Sequence, residues 1–263
     1  MKTLDIKPSV LMMEFVDQYA AMFDIDKEKA LRYIKTNEHF DFLTDRWYEA
    51  LELGDLNKAY SVYDDEYYFT DMWNCFKVYS RNYLRNMKAP KLLNGQSIFD
   101  YMGDVKLIVD TGCGTGLTTG ALKEMFNGST VYGTNLRNTK QWQFCETKAT
   151  QFEFTMIEDI SQVVEEEVDL VFSSEYFEHI EAPAEHVDYI VKQKNPKYFI
   201  IANAFNTRAI GHFITYKHYG QDIDQTKISK IFNDKLKSLG YVKIKTNLFN
   251  NRPNFWARKD MVK

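Results

Sequence analysis

The first hundred residues follow a helical pattern of hydrophobic positions. Leu11, Phe15, Tyr19 and Phe23 recur at four-residue steps, which places their side chains on one face of a helix. Further helices are predicted over residues 26–34, 40–53 and 65–87, and Gly54 is a typical stop signal for the second of these. Aromatic residues are frequent here, and no alternating strand pattern interrupts the helices. Residues 1–100 are therefore predicted to form a helical cap or substrate region.

From Val105 onward the pattern changes to short apolar runs separated by helical stretches. The runs lie at residues 107–110, 130–134, 152–157, 168–174 and 198–204. Such runs are typical of parallel strands buried on both faces, and the stretches between them are long enough for crossover helices. A helix at 228–239 precedes two strand-like segments, YVKIKTN and FWARK, on either side of a turn at residues 250–254, which predicts an antiparallel pair at the sheet edge. Residues 101–263 are thus predicted to be an α/β domain with a Rossmann-like, mostly parallel sheet and helices on both faces.

The composition is that of an ordinary globular protein. Of the 263 residues, 44% are hydrophobic and 27% are charged, and no apolar run approaches the ~20 residues that a membrane helix needs. The first residues include acids and a proline, unlike a signal peptide. Cys75, Cys113 and Cys145 are odd in number and lack zinc-ligand spacing, which favours a reducing compartment. We therefore expect a cytoplasmic protein with no membrane contact.

The net charge of −4 is unevenly distributed along the chain. Residues 151–190 contain 12 acids and no Lys or Arg, whereas residues 191–263 contain 15 Lys or Arg and 4 acids. Charge runs of this kind are typical of solvated faces. The alternative interpretation is an acidic site that holds a cation, next to a basic surface that attracts a polyanion.

The segment LIVDTGCGTG carries the strongest functional signal. A predicted buried strand ends at Asp110, and Gly112, Gly114 and Gly116 follow before a helix that starts at Leu117. Glycines allow the backbone to turn tightly and to approach a ligand that a β-carbon would exclude. Open α/β sheets bind ligands at the carboxyl ends of their strands, where this turn lies. The spacing GxGxG after an acid differs from the GxGxxG dinucleotide fingerprint.

DTGCGTG resembles motif I of the class I S-adenosylmethionine (SAM)-dependent methyltransferases, and the resemblance extends from about residue 105 to residue 258. It implies SAM as the cofactor, with Asp110 orienting the loop and helping to hold the methionine ammonium group. In that family an acid after the second strand binds the ribose hydroxyls. This chain has Asn135 there, whose amide lacks the charge-assisted hydrogen bonds of a carboxylate. Asp159 matches the position that contacts the adenine amine, and Glu158 is the alternative. The implied cofactor-binding residues are Asp110, Gly112, Cys113, Gly114, Gly116, Asn135, Glu158, Asp159 and Ser173.

After the fourth predicted strand, Glu175, Glu178 and His179 form an ExxEH sequence. If a helix begins here, residues three and four apart share one face, so the carboxylates and the imidazole converge. His212 follows the fifth strand and is expected at the same sheet edge. Because oxygen and imidazole ligands suit Mg²⁺, Mn²⁺ or Fe²⁺, these four residues are candidate metal ligands.

This constellation is similar to that of two metal-dependent O-methyltransferase branches. One methylates the 2′-hydroxyl at the 3′ end of small RNAs, and the other methylates catechol intermediates of ubiquinone biosynthesis. The metal would lower the pKa of the acceptor hydroxyl and align its oxygen with the methyl group. In the wider family the Glu-His pair also occurs without a metal, where it packs beside the cofactor or the histidine acts as a base. Glu178 and His179 are the candidate catalytic residues, and both interpretations stay open.

The N-terminal helices are expected to cover the cofactor pocket and to contact the substrate. Aromatic side chains there would stack on an aromatic or base-like substrate, or pack in the core. The candidates are Tyr63, Tyr67, Tyr68, Trp73, Lys77 and Tyr216, with Lys217, His218, Tyr219 and Arg252 near the same cleft. DNA is not expected as a substrate, because the chain has neither an Asn/Asp-Pro-Pro-aromatic motif after the fourth strand nor a Pro-Cys pair.

Three functions follow from these observations. The first is a SAM-dependent methyltransferase of a hydroxyl-bearing small molecule, assisted by Mg²⁺ or another divalent ion. The second is methylation of the ribose 2′-hydroxyl at an RNA end, which the basic C-terminal quarter favours. The third is a non-catalytic SAM-binding protein, which Asn135 keeps open.

Overall fold

The computed structural model describes residues 3–263, and its N-terminal part is helical. The helices of this part are α1 (Pro8–Phe23), α2 (Lys27–Thr36), α3 (Phe40–Glu52), α4 (Leu56–Tyr60), α5 (Glu66–Cys75), α6 (Arg81–Lys88) and α7 (Ile98–Met102). A π-helical turn at Phe76–Ser80 joins α5 to α6. The helices predicted over residues 26–34, 40–53 and 65–87 are therefore confirmed, and the last of them contains this wider turn.

The second part is an α/β unit built on a seven-stranded sheet. Its strands are β1 (Leu107–Thr111), β2 (Thr130–Thr134), β3 (Thr155–Ile157), β4 (Leu170–Ser174), β5 (Tyr198–Ala202), β8 (Tyr241–Ile244) and β9 (Asn254–Arg258), and a separate hairpin contains β6 (Thr215–His218) and β7 (Gln221–Asp224). Its helices are α8 (Leu117–Met125), α9 (Lys140–Phe152), α10 (Pro183–Lys194) and α11 (Gln225–Ser238).

The strand order is β3-β2-β1-β4-β5-β9-β8. Strands β1 to β5 are parallel, whereas β9 is antiparallel to both β5 and β8. The predicted fold class is confirmed, including the antiparallel pair at the sheet edge. The carboxyl ends of β1, β2 and β4 consequently lie side by side, which brings the segments after them to one edge.

Two details of the sheet differ from the prediction. Strand β3 is shorter than residues 152–157, because α9 continues to Phe152 and Glu153 ends it in the left-handed conformation (φ 59°). The β6–β7 hairpin was not predicted, because each strand has only four residues and no long alternating pattern. This hairpin packs beside the turn after β4, where Lys217 N donates to the Glu181 carbonyl at 2.7 Å.

The N-terminal helices share their hydrophobic core with the sheet. On one face, Leu43 and Trp47 belong to the same buried cluster as Val109 of β1. On the other, Leu84 of α6 belongs to the same cluster as Ile108 of β1. The division of the chain near residue 100 stays a prediction, but hydrophobic contacts bridge it on both faces. Between Thr3 and Lys263, no helix is both long enough and apolar enough to cross a bilayer.

Replacing Leu84 with alanine is expected to destabilise the whole fold. Leu84 is fully buried, and truncation of a buried leucine costs about 2–5 kcal/mol of unfolding free energy. The matched control is Leu53→Ala, because Leu53 is 73% exposed and its truncation is expected to cost less than about 0.5 kcal/mol. Urea unfolding followed by both circular dichroism and tryptophan fluorescence measures the difference. Unequal midpoints from the two signals in Leu84→Ala would contradict a shared core.

Candidate active site

A cavity of about 1000 Å³ lies between the N-terminal helices and the carboxyl edge of the sheet. The sheet contributes the glycine loop after β1, Asn135 after β2 and Glu175 after β4. The helices contribute Phe40, Tyr63 and other side chains from α2, α3, α5 and the π turn. The volume is at the upper end of the range for small-molecule sites. It is large enough for a cofactor together with an acceptor.

The glycine loop forms part of the cavity wall. Gly112, Gly114 and Gly116 all have positive φ (68°, 52° and 78°), a conformation that favours glycine. The backbone N–H of Gly112 donates to the Thr134 hydroxyl at 2.9 Å, which ties the loop to the end of β2. A β-carbon on Gly114 would lie 3.5 Å from the sulfur of Met72, so α5 covers the loop. The predicted turn at the end of β1 therefore lies against the cavity and beneath the N-terminal helices.

Two polar residues hold this loop in place. Asp110 is buried, and its carboxylate accepts a hydrogen bond from the Thr119 hydroxyl at 2.6 Å. Burial raises the pKa of Asp110 to about 7, and the Thr119 hydrogen bond opposes this rise. The Asn135 amide donates to the Gly114 carbonyl at 2.9 Å. Asp110 thus supports the loop from below and lies outside the cavity lining, whereas Asn135 lies on the cavity wall.

The remaining cofactor candidates divide between the cavity and the core. Glu158 lies on the cavity wall and pairs with Arg137 at 3.0 Å. The Asp159 carboxylate instead accepts hydrogen bonds from the Tyr189 hydroxyl (2.5 Å) and the Ser161 N–H (2.9 Å). Ser173 is buried within β4. Of the two acids considered for the adenine amine, the structure therefore places Glu158 on the cavity wall.

The ExxEH sequence forms a tight turn, and the helix expected there is absent from the described structure. Glu175 is left-handed (φ 51°), and a single 3₁₀ turn covers Phe177–His179. The condition for one shared helical face, a helix that begins here, is therefore not met, because the left-handed Glu175 follows directly after β4. The turn itself brings Glu175 and Glu178 close enough for the charge of Glu175 to raise the pKa of Glu178.

Glu178, His179 and His212 form a compact cluster. One potential ligand atom from each side chain lies within 4.8 Å of the other two. Glu178 Oε1 accepts a hydrogen bond from the Ala204 N–H at 2.8 Å. His212 Nδ1 lies 2.9 Å from the Thr207 carbonyl, which only accepts, so Nδ1 is the donor and Nε2 of the neutral ring keeps its lone pair.

Glu175 lies beside this cluster but has different partners. Its Oε1 pairs with Arg252 at 3.0 Å and accepts a hydrogen bond from the Tyr83 hydroxyl at 3.0 Å. The structure therefore brings together three of the four predicted ligands. The fourth predicted ligand, Glu175, lies beside the cluster and forms an ion pair with Arg252.

Burial determines the charge states in the cluster. It raises the pKa of Glu178 well above its usual range, and the charge of Glu175 adds to this rise. Burial also lowers the pKa of His179 well below 6.5 and that of His212 to about 4. Both imidazoles are consequently neutral at physiological pH, which is the form that binds metals.

Aromatic side chains of the N-terminal helices anchor the cluster and Glu175. Three hydrogen bonds cross from the helices to the sheet edge: Trp47 Nε1 to the His212 carbonyl (2.7 Å), the Tyr63 hydroxyl with His179 Nδ1 (3.0 Å), and the Tyr83 hydroxyl to Glu175 Oε1 (3.0 Å). The orientation of the cluster thus depends on the N-terminal helices as well as on the sheet.

A known family model matches the segment of the chain that supplies the sheet side of this site. Residues 109–197, which run from β1 to the end of α10, match the family model described as a methyltransferase domain. This segment contains the glycine loop, Asn135 and the ExxEH turn. The chain thus contains a methyltransferase domain. No curated protein sequence matches the methyltransferase.

Solved structures are similar to the methyltransferase over part of its length. A fibrillarin pre-rRNA processing protein from Methanococcus jannaschii is 14% identical, with a TM-score of 0.42, over 59% of this chain and 66% of the other. The magnesium protoporphyrin IX methyltransferase of Synechocystis is 18% identical, with a TM-score of 0.38, over 60% and 75%. An O-methyltransferase from a polyketide synthase of Brevibacillus brevis, in complex with S-adenosyl-L-homocysteine, is 16% identical, with a TM-score of 0.39, over 53% and 47%.

The predicted substrate residues occupy different environments in the methyltransferase. Those that line the cavity are Tyr63, Tyr68 and Arg252. Among the described residues, the predicted ones outside this lining are Tyr67, Trp73, Lys77, Tyr216, Lys217, His218 and Tyr219. Tyr67 stacks on His39 and Trp73 is a core residue, while the buried Tyr216 donates to the Glu178 carbonyl at 3.1 Å. Periodicity does not separate these cases, because an aromatic stripe has the same spacing in a core as in a pocket.

Sequence reasoning missed several residues of the site. Asn37, Asp71, Met72 and Tyr176 line the cavity, and Tyr83 holds Glu175. The ring of Tyr176 covers Gly112, where a β-carbon would collide with it. Tyr176 could have been predicted as a site residue, because it is an aromatic residue within ExxEH and this segment was expected at the same sheet edge as the glycine loop. The others come from distant helices and carried no local signal.

The acidic and basic segments of the methyltransferase pair with each other. The Lys and Arg ion pairs between them, among the described residues, are Arg258–Glu167 (2.7 Å), Lys197–Glu167 (3.2 Å), Lys197–Asp169 (2.7 Å), Arg252–Glu175 (3.0 Å), Lys192–Asp188 (2.6 Å) and Lys235–Asp188 (4.0 Å). Part of the opposite charge on the two segments is therefore paired within the folded molecule.

Replacing Gly211 with alanine is expected to displace His179. Gly211 has φ +80°, and a β-carbon there would collide with the Tyr63 hydroxyl and with His179 Nδ1. Gly220→Ala is the matched control, because Gly220 has φ +78° and nothing within 4 Å of the added carbon. Both variants lose about 1–2 kcal/mol to the left-handed backbone. Gly211→Ala should lose about 1–3 kcal/mol more, since the two side chains must move. Equal unfolding free energies for the two variants in urea would disprove this packing.

Proposed function

We propose that this methyltransferase transfers the methyl group of SAM to a hydroxyl group of a small aromatic molecule, with a divalent cation held by Glu178, His179 and His212. The observation that carries the proposal is that ligand atoms of these three side chains lie within 4.8 Å of one another, and that His179 and His212 line the same cavity as the glycine loop, with Glu178 buried directly behind them. Methyl transfer from a sulfonium is a direct displacement, so it depends mainly on alignment and desolvation. Both demands suit a covered cavity with a fixed cluster of polar groups.

The residues around the glycine loop fit SAM. Gly112 and Gly114 have the positive φ angles that favour glycine and both line the cavity, and Asn135 and Glu158 offer hydrogen-bonding groups on its wall. SAM supplies the activated methyl group when bound. Met72 and Tyr176 lie over the loop and would exclude water from this region.

The cluster fits a divalent cation. It offers one carboxylate and two neutral imidazoles, and the Nδ1–H of His212 is fixed by the Thr207 carbonyl, as is usual for metal-binding histidines. Such a cation lowers the pKa of a bound hydroxyl and orients its oxygen. Tyr63 and the Ala204 N–H would hold His179 and Glu178 in position for this task. Glu175 is the further acid that borders the site.

The wall of the cavity favours a small aromatic acceptor over an RNA end. Phe40, Tyr60, Tyr63 and Tyr68 give it apolar, stacking surfaces. Among the described residues that line it, the cationic side chains are Lys35 and Arg252, and Arg252 already pairs with Glu175. Little positive charge is thus available for phosphates. A cytoplasmic location, predicted from the odd number of cysteines, stays a prediction.

Removing a cluster ligand is expected to abolish tight metal binding. Loss of partners that merely orient ligands lowers metal affinity about 10–100-fold, so Glu178→Gln and His212→Ala should each lose at least that much affinity for Mn²⁺. Electron paramagnetic resonance titration of free Mn²⁺ measures it. His218→Ala is the matched control, since His218 pairs with Glu185 outside the cluster. Unchanged Mn²⁺ affinity in both cluster variants, or full activity in a chelator, would refute the metal's role.

Acceptor screening is expected to yield a methylated aromatic diol. The assay follows transfer of a labelled methyl group from SAM to catechol, an uncharged aromatic diol, and a short RNA with a free 3′ end is the competing acceptor. Raising the salt concentration from 50 to 200 mM should change the rate on the diol little. An enzyme that uses 6–10 phosphate contacts would lose about 10³–10⁵ in affinity. Methylation of the RNA alone would favour the ribose 2′-hydroxyl, and failure to bind S-adenosylhomocysteine (SAH) would exclude the cofactor itself.

A further inference from the structure

Asp71 of α5 presents a carboxylate to the cavity from the side of the N-terminal helices. It lies next to Met72, whose sulfur covers Gly114, and one helical turn before Cys75. No motif in the sequence drew attention to it. Its position is therefore close to the glycine loop and opposite the sheet edge.

The carboxylate of Asp71 is held in a fixed orientation by neutral donors. The Asn37 amide donates to Oδ1 at 3.3 Å, and the Cys75 thiol lies 3.8 Å from Oδ2. The Thr70 hydroxyl lies 3.0 Å from the Asn37 carbonyl oxygen and 2.7 Å from the Tyr67 carbonyl, and these two acceptors compete for its single proton. Asn37 ends α2 in the left-handed conformation, so the donors come from two helices. Two helices thus cooperate to aim one acid at the cavity.

Asp71 differs from the other acids of the cavity wall because those acids form ion pairs with arginine side chains. Glu158 pairs with Arg137, and Glu175 pairs with Arg252. Within residues 3–263, Asp71 has no ion pair with a cationic side chain. Burial raises its pKa to about 6, while Asn37 and Cys75 oppose this rise. An acid in such surroundings is costly unless a ligand supplies the positive charge.

We propose that Asp71 is the recognition point for a primary ammonium group of a ligand in this cavity. Carboxylates accept strong, charge-assisted hydrogen bonds from ammonium groups, and Asp71 keeps lone pairs for them beyond those used by Asn37 and Cys75. Asp110, the acid expected to help hold the methionine ammonium of SAM, lies outside the cavity lining and bonds Thr119. The ammonium group belongs either to the methionine part of the cofactor or to the methyl acceptor. The inference rests on the proposed use of the cavity for both molecules, and it is independent of the metal.

Calorimetric titration distinguishes the two sources. The first pair of probes is SAH and its analogue in which hydrogen replaces the amino group. The second pair, titrated into the SAH-loaded protein, is tyramine and 4-ethylphenol, which differ only in the amine. Each pair is measured on the wild type, on Asp71→Asn and on the control Asp17→Asn, whose exposed acid pairs with Lys27. Melting temperatures of the three proteins establish that they are folded.

We expect the wild type and Asp17→Asn to bind the amine-bearing member of one pair at least about tenfold more tightly, and Asp71→Asn to lose that preference. Loss within the SAH pair assigns the amine to the cofactor, and loss within the tyramine pair assigns it to the acceptor. A wild type that discriminates neither pair, or an Asp71→Asn variant that keeps the preference, overturns the inference. If SAH itself does not bind the wild type, the proposed function fails and the inference fails with it. SAH binding without amine preference removes the inference alone.

Discussion

The hydrogen bonds that cross from the N-terminal aromatic residues to the carboxyl edge of the sheet control the geometry of the site. The sheet places Glu178, His179 and His212 near one another, but Tyr63 and Trp47 determine how the two histidine-bearing segments are held. These aromatic residues are themselves buried in the cluster that covers one face of the sheet. The hydrophobic packing of the N-terminal helices therefore fixes the positions of the polar atoms that these aromatic residues contact.

The electrostatics of the cavity follow from where each charge finds its partner. Buried acids at the sheet edge are tolerated because the Tyr83 hydroxyl and Arg252 bond Glu175, and because a backbone N–H bonds Glu178. The two histidines stay neutral because they are buried. What remains is a cavity with acidic groups but few free cations. Such a site attracts positively charged ligands and repels polyphosphates.

The sequence predicted most of the fold, because buried parallel strands and crossover helices leave local patterns. It also predicted the glycine loop and the ExxEH segment, whose residues are close in the chain. It did not predict that Glu175 would pair with Arg252, which is 77 residues away, or that Tyr83 would reach the same carboxylate. Such contacts depend on how distant elements pack, and periodicity carries no information about that. The failed helix at ExxEH has a local cause, namely the left-handed backbone of Glu175.

Asn135 illustrates how one substitution changes two properties of a loop. Its amide donates to the Gly114 carbonyl, and a carboxylate at this position has no proton to donate and would repel that oxygen. An acid at position 135 would therefore lose the hydrogen bond that ties this residue to the glycine loop. On the proposed function, the chain would give up charge-assisted hydrogen bonds to the ribose in return for a hydrogen bond that stiffens the turn. Affinity for the nucleoside would then come from shape and stacking more than from charge, and the pocket would tolerate cofactor analogues altered at the ribose.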